Sequence, residues 1–179
     1  MALFADYVPT PSVRPPPAHA ALRPATRDDL PALAALRAER DGMPLEEATA
    51  TFEGQLARAA SDRAQVLAAV LDGVTVAYSV AELLAREGLP PGWYLGGVVV
   101  APAWRRRGIG VALTRERLRW IARRATRAYY FTNERNRASI DLHAAFGFRE
   151  ILRDLKAPGL SFTNGIGLLF AVELSASPA

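Results

Sequence analysis

One stretch constrains this chain more than any other: Val98-Val99-Val100-Ala101-Pro102-Ala103-Trp104-Arg105-Arg106-Arg107-Gly108-Ile109-Gly110. The valines are β-branched and read as the end of a strand spanning Tyr94 to Val100. Pro102 lacks a backbone donor and ends the pairing. Beyond the arginines, Val111, Leu113, Leu118 and Ile121 recur at helical spacing, so Arg107 or Gly108 opens a helix that runs to about Arg124. The order is therefore strand, basic glycine loop, helix. A helix N-terminus carries unpaired N–H groups and the positive end of the helix dipole. Glycine removes the Cβ that would hold a ligand off the backbone. Together they suit a pyrophosphate. The loop is neither a Gly-Lys-Ser/Thr phosphate loop nor a Gly-x-Gly-x-x-Gly dinucleotide fingerprint.

The rest of the chain reads as mixed α and β. Ala20 to Arg23 is a short strand. Thr26 or Asp28 caps a helix that runs to about Arg40, and Asp41-Gly42-Met43-Pro44 breaks it. A second helix covers Glu46 to Ala60. Val66 to Leu71 and Val74 to Leu83 pair across an Asp72-Gly73 turn. Strands at Tyr129 to Thr132, Phe148 to Arg153 and Leu168 to Leu174 follow, with a short helix at Ala138 to Phe146. Residues 1–19 hold five prolines and read as an extended or loose tail, with Phe4 and Tyr7 as anchors if it packs on anything.

Composition removes several function classes. The 179 residues include no cysteine, which excludes disulfide scaffolds, cysteine-ligated zinc, iron–sulfur clusters and a cysteine nucleophile. The only histidines are His19 and His143, too few for a histidine-rich metal site. No apolar run approaches the roughly 18–20 residues of a membrane-spanning helix, and no signal-peptide pattern opens the chain. These features favour a cytoplasmic protein without a membrane partner. The net charge of +4 suits an anionic ligand but does not say which.

Arg105-x-x-Gly108-x-Gly110 matches the Arg/Gln-x-x-Gly-x-Gly/Ala signature of the GNAT acyltransferase superfamily. Asn136-Arg137-Ala138 through Leu142-His143 to Gly147-Phe148 resembles that superfamily's Asn-x-x-Ala…Leu-Tyr-x-x-x-Gly-Phe segment, with His143 where tyrosine is usual. Leu22-Arg23-Pro24-Ala25-Thr26…Asp29-Leu30 resembles its first strand and helix entry. The resemblance spans about Ala20 to Leu174, leaving 1–19 as an N-terminal extension and 175–179 as a tail. It implies an α/β (α+β) fold: a mixed, mostly antiparallel sheet of about six or seven strands, flanked by about four helices, with a splayed parallel strand pair.

The resemblance also implies a cosubstrate, acetyl-CoA, and no metal. Val98, Val99 and Val100 would offer backbone groups to the pantetheine arm. The N–H groups from Arg105, Arg106, Arg107, Gly108, Ile109 and Gly110 to Val111 would meet the pyrophosphate. Asn136 would touch the pantetheine, or serve only as a helix cap. His143 would lie by the thioester as a general acid, or only pack there. For the base, Glu82 is the nearest carboxylate to the glycine-loop strand in sequence, and could equally face solvent. Tyr94 would line the acceptor site. Ser161 to Gly167 would form a lip of the acceptor cleft, or a plain loop.

The expected activity is direct transfer of an acetyl group from acetyl-CoA to a primary amine in a ternary complex, the acceptor being a small molecule. Three readings stay beside it: a protein or peptide N-acetyltransferase, a non-catalytic CoA-binding protein, and a basic nucleic-acid-binding module using the arginines of the loop and following helix. The last leaves the glycine spacing unexplained. A homodimer is a family-level expectation.

Overall fold

A computed structural model describes residues 20–175; the expectations for 1–19 and for the last residues lie outside it. Seven strands form one hydrogen-bonded sheet: β1 (Ala21–Pro24), β2 (Ala64–Leu71), β3 (Val74–Leu84), β4 (Gly92–Val100), β5 (Arg127–Asn133), β6 (Arg149–Arg153) and β7 (Gly167–Glu173). Their order is β1-β2-β3-β4-β5-β7-β6. The pair β4–β5 is parallel, at Trp93–Ala128 and Tyr94–Tyr129. The described pairs β1–β2, β2–β3, β5–β7 and β6–β7 are antiparallel. Four helices accompany them: α1 (Leu30–Asp41), α2 (Leu45–Ala60), α3 (Ile109–Ala122) and α4 (Arg137–Ala144). This is the mixed fold that the sequence implies.

The chain divides into two compact units. Among the described residues, the first holds 20–82 and 96–117 and the second holds 83–95 and 118–175. The first unit has two apolar clusters. Val99 joins Leu33, Phe52, Val66, Tyr78 and Val80. Val98 and Val100 pack instead with Leu67, Leu71, Ile109 and Leu113. This alternation is the two-residue period of a strand, and it packs side chains on both faces of β4. In the second unit Tyr94, Tyr129, Leu155 and Leu169 form the core.

Local chemistry explains the breaks. Gly42 takes φ +65° and ends α1, its N–H bonding Ala38 O. Asp72 and Gly73 take φ +49° and +79°, as a two-residue hairpin turn requires. The sequence reading has no 3-10 turn at Pro102–Trp104; the structure has one, seeded by proline at its first position.

Asp29 ties the first unit together. Its carboxylate accepts two bonds from Arg23 (2.6 and 2.9 Å), one from Thr26 N–H and one from the Thr75 hydroxyl. It thereby links β1, the entry to α1 and β3. Arg23, more than any other neighbour, holds this carboxyl well below the usual carboxylate range. A carboxyl lowered on folding adds stability that is present above its unfolded pKa of ~3.9 and is lost as pH falls. Asp29→Asn should therefore cost about 2 kcal/mol at pH 7. The gap to the parent should narrow in urea titrations repeated at pH 3.

Candidate active site

In the first unit, β4 ends where Ala101 N–H bonds Val76 O at 2.9 Å. The turn that follows is closed by Trp104 N–H on Ala101 O at 2.8 Å. Arg106 then takes φ +61° and Gly108 φ +78°. Two left-handed residues this close to a helix start turn successive N–H groups toward a common point, an anion-binding concavity. Ala112 N–H makes the bond to Gly108 O, so the first-turn donors of Ile109, Gly110 and Val111 have no partner within the helix. That donor set fits a pyrophosphate.

The arginines divide their work. Arg105 folds back, its Nε donating to Val100 O at 3.1 Å. Arg107 lies over the Trp104 ring at 4.8 Å. Both brace the loop, while Arg106 forms its exposed left-handed tip. The motif shows the positive charge here, but not this division.

Arg117, on α3, enters the sequence reading only among the helix arginines of the nucleic-acid-binding alternative, and the structure removes it from that surface. It is fully buried, donating to Val80 O (3.0 Å), Gly96 O (2.9 Å) and Thr114 Oγ1 (3.0 Å), and its Nε has no partner. Burial pushes its guanidinium down to about 9, still cationic at neutral pH. One guanidinium thus binds the carbonyls of both β3 and β4, just before Val98.

Glu82 does not face solvent as a free carboxylate. It pairs with Arg58 at 3.1 Å and its side chain is one-fifth exposed. The charge partner is 24 residues away in sequence, so no local pattern announces it.

In the second unit, Asn136 caps α4. Its Oδ1 accepts from Ser139 N–H at 3.3 Å and its Nδ2 donates to Thr132 Oγ1 at 3.1 Å. The cap alternative is realised.

His143 is 4% exposed. Its ring stacks on Tyr130 at 4.0 Å and meets Phe148 edge-on at 5.4 Å, with Nδ1 on Ser139 O at 2.8 Å. These contacts are those of a packed ring.

Tyr94 is 1% exposed and stacks on Tyr129, and its hydroxyl donates to Pro90 O at 2.7 Å. Burial, with Tyr129 beside it, pushes the phenol up to about 12. The ring packs in the core of the second unit, and its hydroxyl ties the loop before β4. Strand alternation predicts that a tyrosine points to one face, but not which face is covered.

The 161–167 segment is held in place rather than loose. Asn133 Nδ2 donates to Thr163 O at 3.0 Å, and a Cβ at Gly165 would lie 2.5 Å from Asn133 Oδ1. A cavity of about 410 Å³ opens here, lined by Asp154, Lys156, Phe162 and Gly165 among others. Among the described residues, no three acidic, histidine or cysteine side chains cluster as a metal site would need, and no helix is long and apolar enough to cross a membrane.

The sequence profile of the GNAT acetyltransferase family matches residues 29–148, well over half of the chain. No curated protein sequence matches significantly. Many solved structures share the fold. A ribosomal-protein-alanine N-acetyltransferase from Brucella melitensis is 27% identical, with a TM-score of 0.68 over 86% of this chain and 99% of that one. An acetyltransferase from Salmonella typhimurium, solved with its cofactor acetyl-CoA, is 20% identical, with a TM-score of 0.69 over 90% and 97%. A phosphinothricin acetyltransferase from Sinorhizobium meliloti, in complex with acetyl-CoA, is 19% identical, with a TM-score of 0.67 over 87% and 89%. The chain belongs to the GNAT acetyltransferase family.

Proposed function

We propose that the chain is an N-acetyltransferase that moves an acetyl group from acetyl-CoA to the primary amine of a small acceptor, by direct transfer in a ternary complex. The observation that carries this reading is the bend at Arg106 and Gly108, which gathers the first-turn N–H groups of α3 directly after β4. Bound acetyl-CoA supplies an activated thioester, from which the amine takes the acetyl group with loss of the thiolate and of one amine proton to solvent. The N–H groups of Ile109, Gly110 and Val111 hold the pyrophosphate, and Arg106 adds charge. The backbone of Val98 to Val100 holds the pantetheine arm, and an N–H there polarises the thioester carbonyl. Orientation of the two reactants supplies much of the rate.

This mechanism asks no side chain for a proton. Coenzyme A is a good leaving group, and the surroundings of His143 suit packing. His143→Phe keeps the ring stack, so kcat should stay within about tenfold of the parent. A general acid is worth about 100-fold or more. A loss of that size with an altered pH–rate profile would instead make His143 the acid.

A protein N-terminus as acceptor is the second reading, favoured by the 27% likeness to a protein named for ribosomal-protein alanine. Thiol release from acetyl-CoA across a panel of amines and N-terminal peptides tests both. The chain has no cysteine, so the protein itself adds no background to a thiol readout. Turnover of at least one amine supports the proposal. Turnover of peptides alone supports the second reading.

A further inference from the structure

The C-terminal end of α1 carries Arg37, Arg40 and Asp41. Asp41 pairs with both arginines: with Arg40 through Nε and Nη2, and with Arg37 Nε at 3.5 Å. Two guanidinium groups share one carboxylate, so the cluster keeps a surplus positive charge. Cations at a helix C-terminus are stabilised by the dipole, and that alone would make this an ordinary surface feature. Two further observations set it apart.

The first is Gly97. A Cβ built there would lie 3.1 Å from Arg40 Nη1, the guanidinium nitrogen that its Asp41 bonds leave aside. Arg40 therefore rests against bare backbone of β4, one residue before Val98. The second is Tyr78. Its residue is 0% exposed and its hydroxyl has no hydrogen-bond partner. After burial, the charges that act on it are those of Arg40, Arg37 and Asp41, so the hydroxyl lies within electrostatic reach of the same cluster. A buried hydroxyl without a partner is costly, and a ligand that accepts its proton would remove the cost.

We propose that Arg40, backed by Arg37 and the Tyr78 hydroxyl, binds an anionic group on the acceptor, so that the acceptor class is a small primary amine bearing a carboxylate or phosphonate a few bonds from its nitrogen. This rests on the acetyltransferase reading above. An amine attacking beside Val98 has its α-carboxylate carbon about 2.5 Å from its nitrogen by bond geometry. Neighbouring strand residues are about 3.3 Å apart, so the carboxylate falls within reach of a guanidinium lying on Gly97. Arginine offers paired donors that match such a group. Asp41 fixes the Arg40 fork, which leaves less side-chain freedom to lose on binding. A cationic acceptor such as a polyamine would meet like charge here.

The test uses matched probes: the common L-amino acids and two aminoalkylphosphonates, each amino acid paired with its carboxamide. Release of coenzyme A thiol is followed for the parent, Arg40→Met, Arg40→Lys and Tyr78→Phe. Acetyl-CoA affinity is measured separately by calorimetry. At least one anionic amine should exceed its neutral partner about 100-fold in kcat/KM. Arg40→Met should collapse that ratio to below about fivefold while acetyl-CoA affinity stays within about twofold, and Arg40→Lys should restore part of it. Tyr78→Phe should lower the ratio less. Equal use of acids and amides, turnover of peptides alone, no turnover of any probe by a protein that binds acetyl-CoA, or an Arg40→Met loss that is equal for both members of a pair would each overturn the proposal. Failure to bind acetyl-CoA would overturn the acetyltransferase reading itself.

Discussion

Arg117→Ala should lower the unfolding free energy by about 3–5 kcal/mol. The substitution opens a cavity under α3 and strips donors from the carbonyls of Val80 and Gly96, both of which the buried guanidinium satisfies. Each orphaned buried acceptor costs about 1–3 kcal/mol and the lost volume adds to it. Arg117→Met is the informative companion. It refills most of the space and removes a buried charge that has no carboxylate partner among its contacts, a change that is often neutral elsewhere. The orphaned carbonyls remain, so a loss of about 1–2 kcal/mol is expected. Urea unfolding with an unchanged m-value would report both. A loss under 1 kcal/mol for alanine would mean that Arg117 does not brace the two strands.

The pH dependence has a definite sign. Burial lowers Arg117 from the ordinary guanidinium range to about 9 on folding, so above about 9 the unfolded chain binds more protons than the folded one. Stability from this group therefore rises with pH above about 9, and Arg117→Met should remove that rise.

Gly108→Asp should weaken acetyl-CoA binding by at least about 100-fold, or nearly 3 kcal/mol. Gly108 takes φ +78°, a conformation that costs a residue with a Cβ roughly 1–2 kcal/mol. The new carboxylate would also stand in a concavity of N–H donors meant for an anion. Like charges a few ångströms apart near a surface repel by several kcal/mol, which outweighs the strain. Gly108→Ala separates the two effects and should cost about tenfold. Calorimetry, with circular dichroism to confirm folding, measures each. Unchanged affinity in Gly108→Asp would remove the loop from the phosphate site.

Most of the fold is legible in the sequence because its signals are local. Val66 to Leu71, Asp72-Gly73 and Val74 onward announce a hairpin, and the observed strands extend it by a residue or two. The glycine loop is legible for the same reason: strand, bend and helix start are contiguous. What the sequence hides are pairings over distance. Glu82 finds Arg58, Arg117 finds the carbonyls of Val80 and Gly96, and Arg40 finds Gly97, each across a tertiary contact that no spacing rule encodes. Arg117 is the clearest case. On a helix whose arginines read as one basic surface, an arginine is the last residue a periodicity argument would bury. Tyr94 is harder to read for another reason: its apolar ring and its hydroxyl make opposite cases for core and cleft, and the hydroxyl's partner, the Pro90 carbonyl, sits in a loop that strand alternation does not place.

Calorimetric titration of the protein with acetyl-CoA, with coenzyme A and NAD alongside, tests the central claim most directly. Acetyl-CoA and coenzyme A should bind in the micromolar range and NAD should not: the loop alone would accept any pyrophosphate, and in the proposed reading the β4 backbone holds the pantetheine arm that NAD lacks. Absence of acetyl-CoA binding, or equal binding of NAD, would contradict the account.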